Sequence, residues 1–140
     1  MKTRTLRQSV VFRATAHDVY EMLMDSRKLA RFSGQKARIS RRVGGRIQAY
    51  GDYIEGVNLE LVADRRIVQS WRGSNWPPGH FSTVTILLSP TKGGTRLRFT
   101  QAGVPEAFHE DIRQGWKDFY WTPMRTILEK GRVRGRLNPV

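Results

Sequence analysis

Three histidines, twelve carboxylates and no cysteine bound the chemistry open to this chain of 140 residues. His17, His80 and His109 stand far apart, without a His-Glu-x-x-His spacing, and with no thiolates a structural zinc site lacks a ligand set. No metal and no cofactor are expected. Paired carboxylates for acid–base work would have to be Glu55 with Glu60, or Glu110 with Asp111. Five residues apart on one strand, Glu55 and Glu60 are expected on opposite faces of a sheet. Glu110 and Asp111 suit the first turn of a helix, where negative charge is favoured by about 0.3–1 kcal/mol. There is no Gly-x-Ser-x-Gly elbow and no phosphate-cradling loop; Gly44-Gly45 and Gly93-Gly94 read as hairpin turns. The expectation is a protein that is not an enzyme.

Two groups of side chains are better suited to binding. Trp116 and Tyr120 share a helical stripe next to Gly115, Pro123 and Met124, residues that leave gaps or adapt to irregular shapes. Such a stripe either fills a core or borders a ligand cavity. In the cavity reading Tyr50, Gln69, Trp71, Trp116, Tyr120 and Met124 are the candidate lining, with the polar ends of Tyr50, Gln69 and Tyr120 orienting the ligand. The second group is Trp76-Pro77-Pro78-Gly79-His80, a loop stiffened by proline and turned by glycine. Flanked by Arg72 and Ser82, it either presents Trp76 and His80 to a partner or packs Trp76 over the sheet end with His80 bonded to backbone.

The elements that must position these groups follow from periodicity. Leu6 to Arg13 alternates as a first strand; Thr15 with Asp18 has capping-box spacing before a helix ending near Asp25; Ser26 can cap a second short helix closed by Ser33-Gly34. From Lys36 the period becomes two, with turns at Gly44-Gly45, Gly51-Asp52, Ala63-Asp64-Arg65 and Thr91-Lys92-Gly93-Gly94, predicting about six antiparallel strands. Ile112, Trp116, Phe119, Tyr120, Pro123, Ile127 and Leu128 mark one long amphipathic helix, kinked at Pro123 because proline lacks a donor and its ring meets the carbonyl one turn back. Strand, two short helices, strands and a long last helix make an α+β, helix-grip order, a curved antiparallel sheet wrapped around the C-terminal helix. One domain is expected over residues 1–130, with a basic, flexible tail over residues 131–140.

Charge is the outstanding compositional feature: 25 Lys+Arg against 12 Asp+Glu, a formal +13. Such a balance attracts polyanions such as RNA, anionic lipid or an acidic protein face. No nucleic-acid motif accompanies it, so nucleic acid is not the expected partner. No apolar run approaches the ~18 residues of a membrane span, and absence of cysteine suits a reducing, cytoplasmic setting.

The strings Gly56-Val57-Asn58-Leu59-Glu60-Leu61, Trp71-Arg72, Trp76 through Thr85, Gln101-Ala102-Gly103-Val104-Pro105 and Gly115-Trp116-Lys117-Asp118-Phe119-Tyr120-Trp121 cover much of the chain. Together with Val43-Gly44-Gly45-Arg46 they resemble the C-terminal domain of the activator of Hsp90 ATPase, the AHSA1 branch of the START-like (Bet v 1-like, SRPBCC) superfamily. That resemblance implies a helix-grip fold and a non-catalytic binding module holding a small hydrophobic molecule between sheet and last helix. It also implies an alternative, a co-chaperone touching an Hsp90-type partner through Arg72, Trp76, His80 and Ser82. With the first strand starting a few residues after Met1, no N-terminal docking domain is expected, and stimulation of the chaperone ATPase would be weak.

Overall fold

The computed structural model describes residues 1–137, with side chains described over residues 1–130. The elements are β1 (Thr3–Phe12), α1 (Ala16–Met24), α2 (Ser26–Ser33), β2 (Arg38–Ile39), β3 (Arg46–Ala49), β4 (Ile54–Val62), β5 (Arg66–Gly73), β6 (Ser82–Thr91) and β7 (Gly94–Pro105). A 3₁₀ turn (Glu106–Phe108) then leads into α3 (His109–Trp116), a π turn (Lys117–Trp121) and α4 (Thr122–Leu137). The strands form one antiparallel sheet in the order β1-β7-β6-β5-β4-β3-β2, with α1 and α2 bridging its two edges and α4 packed on both helices and on β1. This is the helix-grip order read from periodicity. The expected tail over residues 131–140 falls on side chains outside those described.

Local chemistry explains the helix boundaries. Thr15 caps α1 by accepting from the Asp18 N–H at 3.1 Å. The cap of α2 is Asp25 rather than the expected Ser26: its carboxylate accepts from the Arg27 and Lys28 N–H groups at 2.9 and 3.1 Å. Those bonds, chiefly the one from Lys28, hold the Asp25 carboxyl below its ordinary value. Ser26 instead accepts from the Ile39 N–H at 2.8 Å, tying α2 to β2.

Two expectations about faces fail for one physical reason: a single extra residue. In β4, Asn58 faces Gln69 but Glu60 faces Val68, so Leu59 is a bulge. Because a bulge shifts the alternation by one, Glu55 and Glu60 lie on the same outer face, not on opposite ones. Neither pairs with the other; Glu55 meets Arg72 at 3.2 Å and Glu60 meets Arg66 at 2.7 Å. In the last helix the π turn inserts one residue, closing with the Thr122 N–H on the Lys117 carbonyl. The buried stripe therefore runs Ile112, Trp116, Tyr120, Trp121, Met124, while Phe119 and Ile127, expected inside, are 57% and 42% exposed.

The core lies between the helices and the concave face of the sheet, with Phe12, Phe99, Met24, Ile67, Leu97 and Met124 its largest fully buried side chains. Trp116 is its aromatic hub, with ring centroids of Tyr120 at 4.3 Å, Phe99 at 4.5 Å, Trp121 at 5.4 Å and Trp71 at 5.7 Å.

Candidate functional site

Pro123 organises the helix side of the site. Lacking an N–H, it leaves the carbonyl of Phe119, one turn back, without the donor an ordinary helix supplies. The Tyr50 hydroxyl donates to that carbonyl. Tyr50 occupies the left-handed region at φ 52, a conformation rare for an aromatic residue, at the turn after β3. Its ring meets those of Phe119 and Tyr120 at 5.7 and 5.5 Å. Burial pushes the Tyr50 and Tyr120 phenols well above their ordinary value, so both remain protonated donors.

Side-chain amides fix the helix against the sheet. The Trp116 indole Nε1–H donates to Gln101 Oε1 at 2.8 Å, Gln101 Nε2 donates to Ser82 Oγ at 2.9 Å, and Ser82 Oγ–H donates to the Trp71 carbonyl at 2.7 Å. At the other side of the helix Trp121 Nε1–H donates to Gln8 Oε1 at 2.6 Å, and Gln8 Nε2 donates to the Arg113 carbonyl at 2.9 Å. Satisfied buried polar groups of this kind hold aromatic rings in single orientations.

Between the ends of β3, β4 and β5 and the helix there opens a cleft of about 350 Å³. Trp71, Trp116, Tyr120 and Ile112 form its floor; Tyr50, Tyr53, Ile54 and Phe119 its walls; Gln35, Asp111 and Gly115 complete the lining. Behind it, the space lined by Gln69, Trp71, Trp116 and Tyr120 shrinks to about 20 Å³. The aromatic stripe thus packs a filled core on one side and borders an open cleft on the other.

Of the six residues proposed from sequence as cavity lining, Tyr50, Trp71, Trp116 and Tyr120 meet at the cleft, and Gln69 and Met124 do not. Gln69 donates to Asn58 Oδ1 at 3.0 Å, while Asn58 Nδ2 donates to the carbonyls of Ser40 and Arg42 at 2.7 and 3.0 Å, securing the Gly44-Gly45 turn. Met124 is wholly buried. Sequence reasoning missed Tyr53, Gln35 and Asp111, which stand in turns and at a helix start and meet only through the fold. The carboxylate of Asp111 contributes, after burial, to raising the Tyr53 phenol.

The residues proposed to face a partner are turned inward. Trp76 is 3% exposed, its ring tilted against those of Trp71 at 5.4 Å and His80 at 6.0 Å, with its Nε1–H unpaired among the described residues. The His80 Nε2–H donates to the Gly103 carbonyl at 2.7 Å, and Ser82 belongs to the amide relay. Arg72 donates to Glu55 and, at 2.9 Å, to the Trp76 carbonyl, and lies over the Phe81 ring. The loop is packed over the sheet end; Phe81, 43% exposed, is its outward aromatic. Among the described residues no group of three or more His, Asp or Glu side chains could hold a metal ion, and no helix is long and apolar enough to cross a membrane.

An antiparallel sheet gripping its terminal helix beneath an aromatic cleft defines a START-like helix-grip domain. The chain belongs to the family described as "Activator of Hsp90 ATPase homolog 1-like protein", whose profile matches residues 13–129. It is 34% identical to an activator of 90 kDa heat shock protein ATPase homolog of Dictyostelium discoideum, over 91% of this chain and 32% of that protein. Homolog 2 of Mus musculus is 29% identical over 91% of this chain and 38% of its own length. The chain thus spans about a third of the length of these curated relatives. The crystal structure of an HSP90 activator from Plasmodium falciparum shares the fold, with a TM-score of 0.84 at 22% identity, covering 89% of this chain and 95% of that one.

Proposed function

We propose that this chain is a non-catalytic binding domain for a small hydrophobic molecule with a flat, aromatic part. The observation that supports this reading is the cleft itself: about 350 Å³, within the range of small-molecule sites, with walls of tryptophan, tyrosine, phenylalanine and isoleucine. The ligand sits at the mouth between the sheet ends and the π turn rather than within the packed core. Gly115 offers the test. A Cβ added there meets only Phe119 Cδ2, at 3.8 Å, so Gly115→Leu projects into the cleft without disturbing the helix. Flavonoid-like aromatics and fatty acids should shift the indole N–H signals of Trp71 and Trp116 in wild type, saturably, and not in Gly115→Leu. Equal binding by a folded Gly115→Leu protein rules the cleft out.

A second reading, contact with an Hsp90-type chaperone, is favoured by the names of the relatives. On this reading the loop from Trp76 to Ser82, with Arg72, serves the interface through what it exposes, chiefly Phe81, and the +13 chain meets its partner by salt-sensitive attraction screened beyond about 8 Å. Phe81→Ser should weaken binding and ATPase stimulation at low salt; stimulation unchanged by that variant, or absent at low salt in wild type, removes this reading.

A further inference from the structure

The charge of the cleft contrasts with that of the chain. Lys and Arg make up 25 of 140 residues, yet none of the side chains lining the cleft belongs to either type. The one formally charged residue in the lining is Asp111, exposed at the mouth. Five of the twelve carboxylates of this arginine-rich chain are held by an arginine, Glu21 by Arg41, Glu55 by Arg72, Glu60 by Arg66, Glu129 by Arg125 and Glu110 by Arg113. Glu110, adjacent to Asp111, is held by Arg113 through three hydrogen bonds of 2.9 to 3.1 Å. Asp111, in the first turn of α3, makes no ion pair among the described residues.

A cavity lined by Trp71, Trp116, Tyr50, Tyr53 and Tyr120 is rich in aromatic rings, whose faces carry the negative part of the ring quadrupole and attract organic cations. A free carboxylate at the mouth adds a charge of the same preference. Resting on the reading of the cleft as a small-molecule site, we infer that its ligand is a flat aromatic molecule bearing a cationic nitrogen, a quaternary or protonated amine, with the rings between Trp71 and the π turn and the cation facing Asp111. The surplus of arginine over the rest of the surface repels such a ligand only at long range, since screening limits that field to about 8 Å at physiological salt. Anionic molecules, by contrast, are drawn to the outside of the protein and refused by the cleft.

Three probes on one naphthalene ring separate charge from shape: 2-naphthyltrimethylammonium, its neutral isostere 2-tert-butylnaphthalene, and the anion 2-naphthoate. Binding is followed by the indole N–H signals of Trp71 and Trp116 in wild type, Asp111→Asn, and Asp118→Asn, a carboxylate on the same helical run that does not line the cleft. The cation should bind wild type about three- to tenfold tighter than the isostere, and the anion weakest. Asp111→Asn should cut the cation's advantage over the isostere by at least about twofold, leaving the part due to the aromatic faces, and Asp118→Asn should leave the ratio as in wild type. Equal affinity of cation and isostere in wild type, or a cation preference unchanged by Asp111→Asn, overturns the inference while leaving an apolar cleft site intact. Failure of all three probes to move either indole signal overturns both the inference and the reading on which it rests.

Discussion

Tyr50 and Pro123 are coupled through one oxygen atom, and that coupling can be measured. Replacing Tyr50 by Phe keeps the ring contacts with Phe119 and Tyr120 and the left-handed backbone at φ 52, so neither packing nor strain changes. What is lost is the hydroxyl that donates to the Phe119 carbonyl. A net hydrogen bond contributes about 0.5–1.5 kcal/mol, and because this one lies at an exposed residue, water can replace the lost donor at the Phe119 carbonyl. Tyr50→Phe alone should therefore destabilise by about 0.5–1.5 kcal/mol. Pro123→Ala returns a backbone N–H one turn after Phe119, giving the same carbonyl a second possible donor. In that background Tyr50→Phe should cost about 1 kcal/mol less. The four proteins of the cycle are compared by urea unfolding followed by tryptophan emission, with equal slopes taken as the condition for a stability comparison. Additivity within about 0.3 kcal/mol would refute the link between proline, free carbonyl and tyrosine.

Trp116→Ala should destabilise by about 3–5 kcal/mol, as expected for a large buried aromatic, while Trp116→Phe isolates the lost bond to Gln101 and should cost about 1–3 kcal/mol in the same urea assay. Asp25→Ala should cost about 1 kcal/mol at neutral pH through the lost cap. Because the folded state lowers the Asp25 pKa, that contribution is present above the ordinary carboxylate value of 3.8 and fades as pH falls below it, so wild type and variant should converge in acid unfolding curves. All four tyrosines, Tyr20, Tyr50, Tyr53 and Tyr120, are raised above 10.0, chiefly by burial. The native chain should then show little tyrosinate absorbance near 295 nm as pH passes 10, and stability should decline above that pH, because the unfolded chain releases these protons first; four ordinary titrations in the folded protein would contradict it.

Which features were legible in the sequence depends on whether a local rule acts without a register to maintain. The Thr15 cap, the glycine turns and the alternation of Ile67, Gln69 and Trp71 need only near neighbours, and they appear in the structure as read. The errors concentrate where one residue is inserted. Leu59 brings Glu55 and Glu60 to one face, and the π turn rotates Phe119 and Ile127 outward while Trp121 and Met124 turn inward. Counting by two or by 3.6 assumes an unbroken register, so a single insertion transfers every later residue to the wrong face. The second of these insertions also shapes the cleft. By turning Phe119 out of the core, the π turn places its ring at the mouth beside Tyr50, and the residue that a regular helix would bury becomes a wall of the site. The cleft was only partly readable because its edges come from turns and a helix start, segments with no period; Asp111 looks from sequence like a dipole partner of α3 and acquires a second role only when Tyr53 is folded opposite it. The loop from Trp76 to His80 illustrates the converse. Its composition fits an exposed recognition element, but rings of that size at the end of a half-open sheet cover more apolar surface facing inward, against Trp71 and Phe108, than facing water. Burial therefore decides its orientation, leaving Pro78 and Phe81 as its exposed apolar side chains.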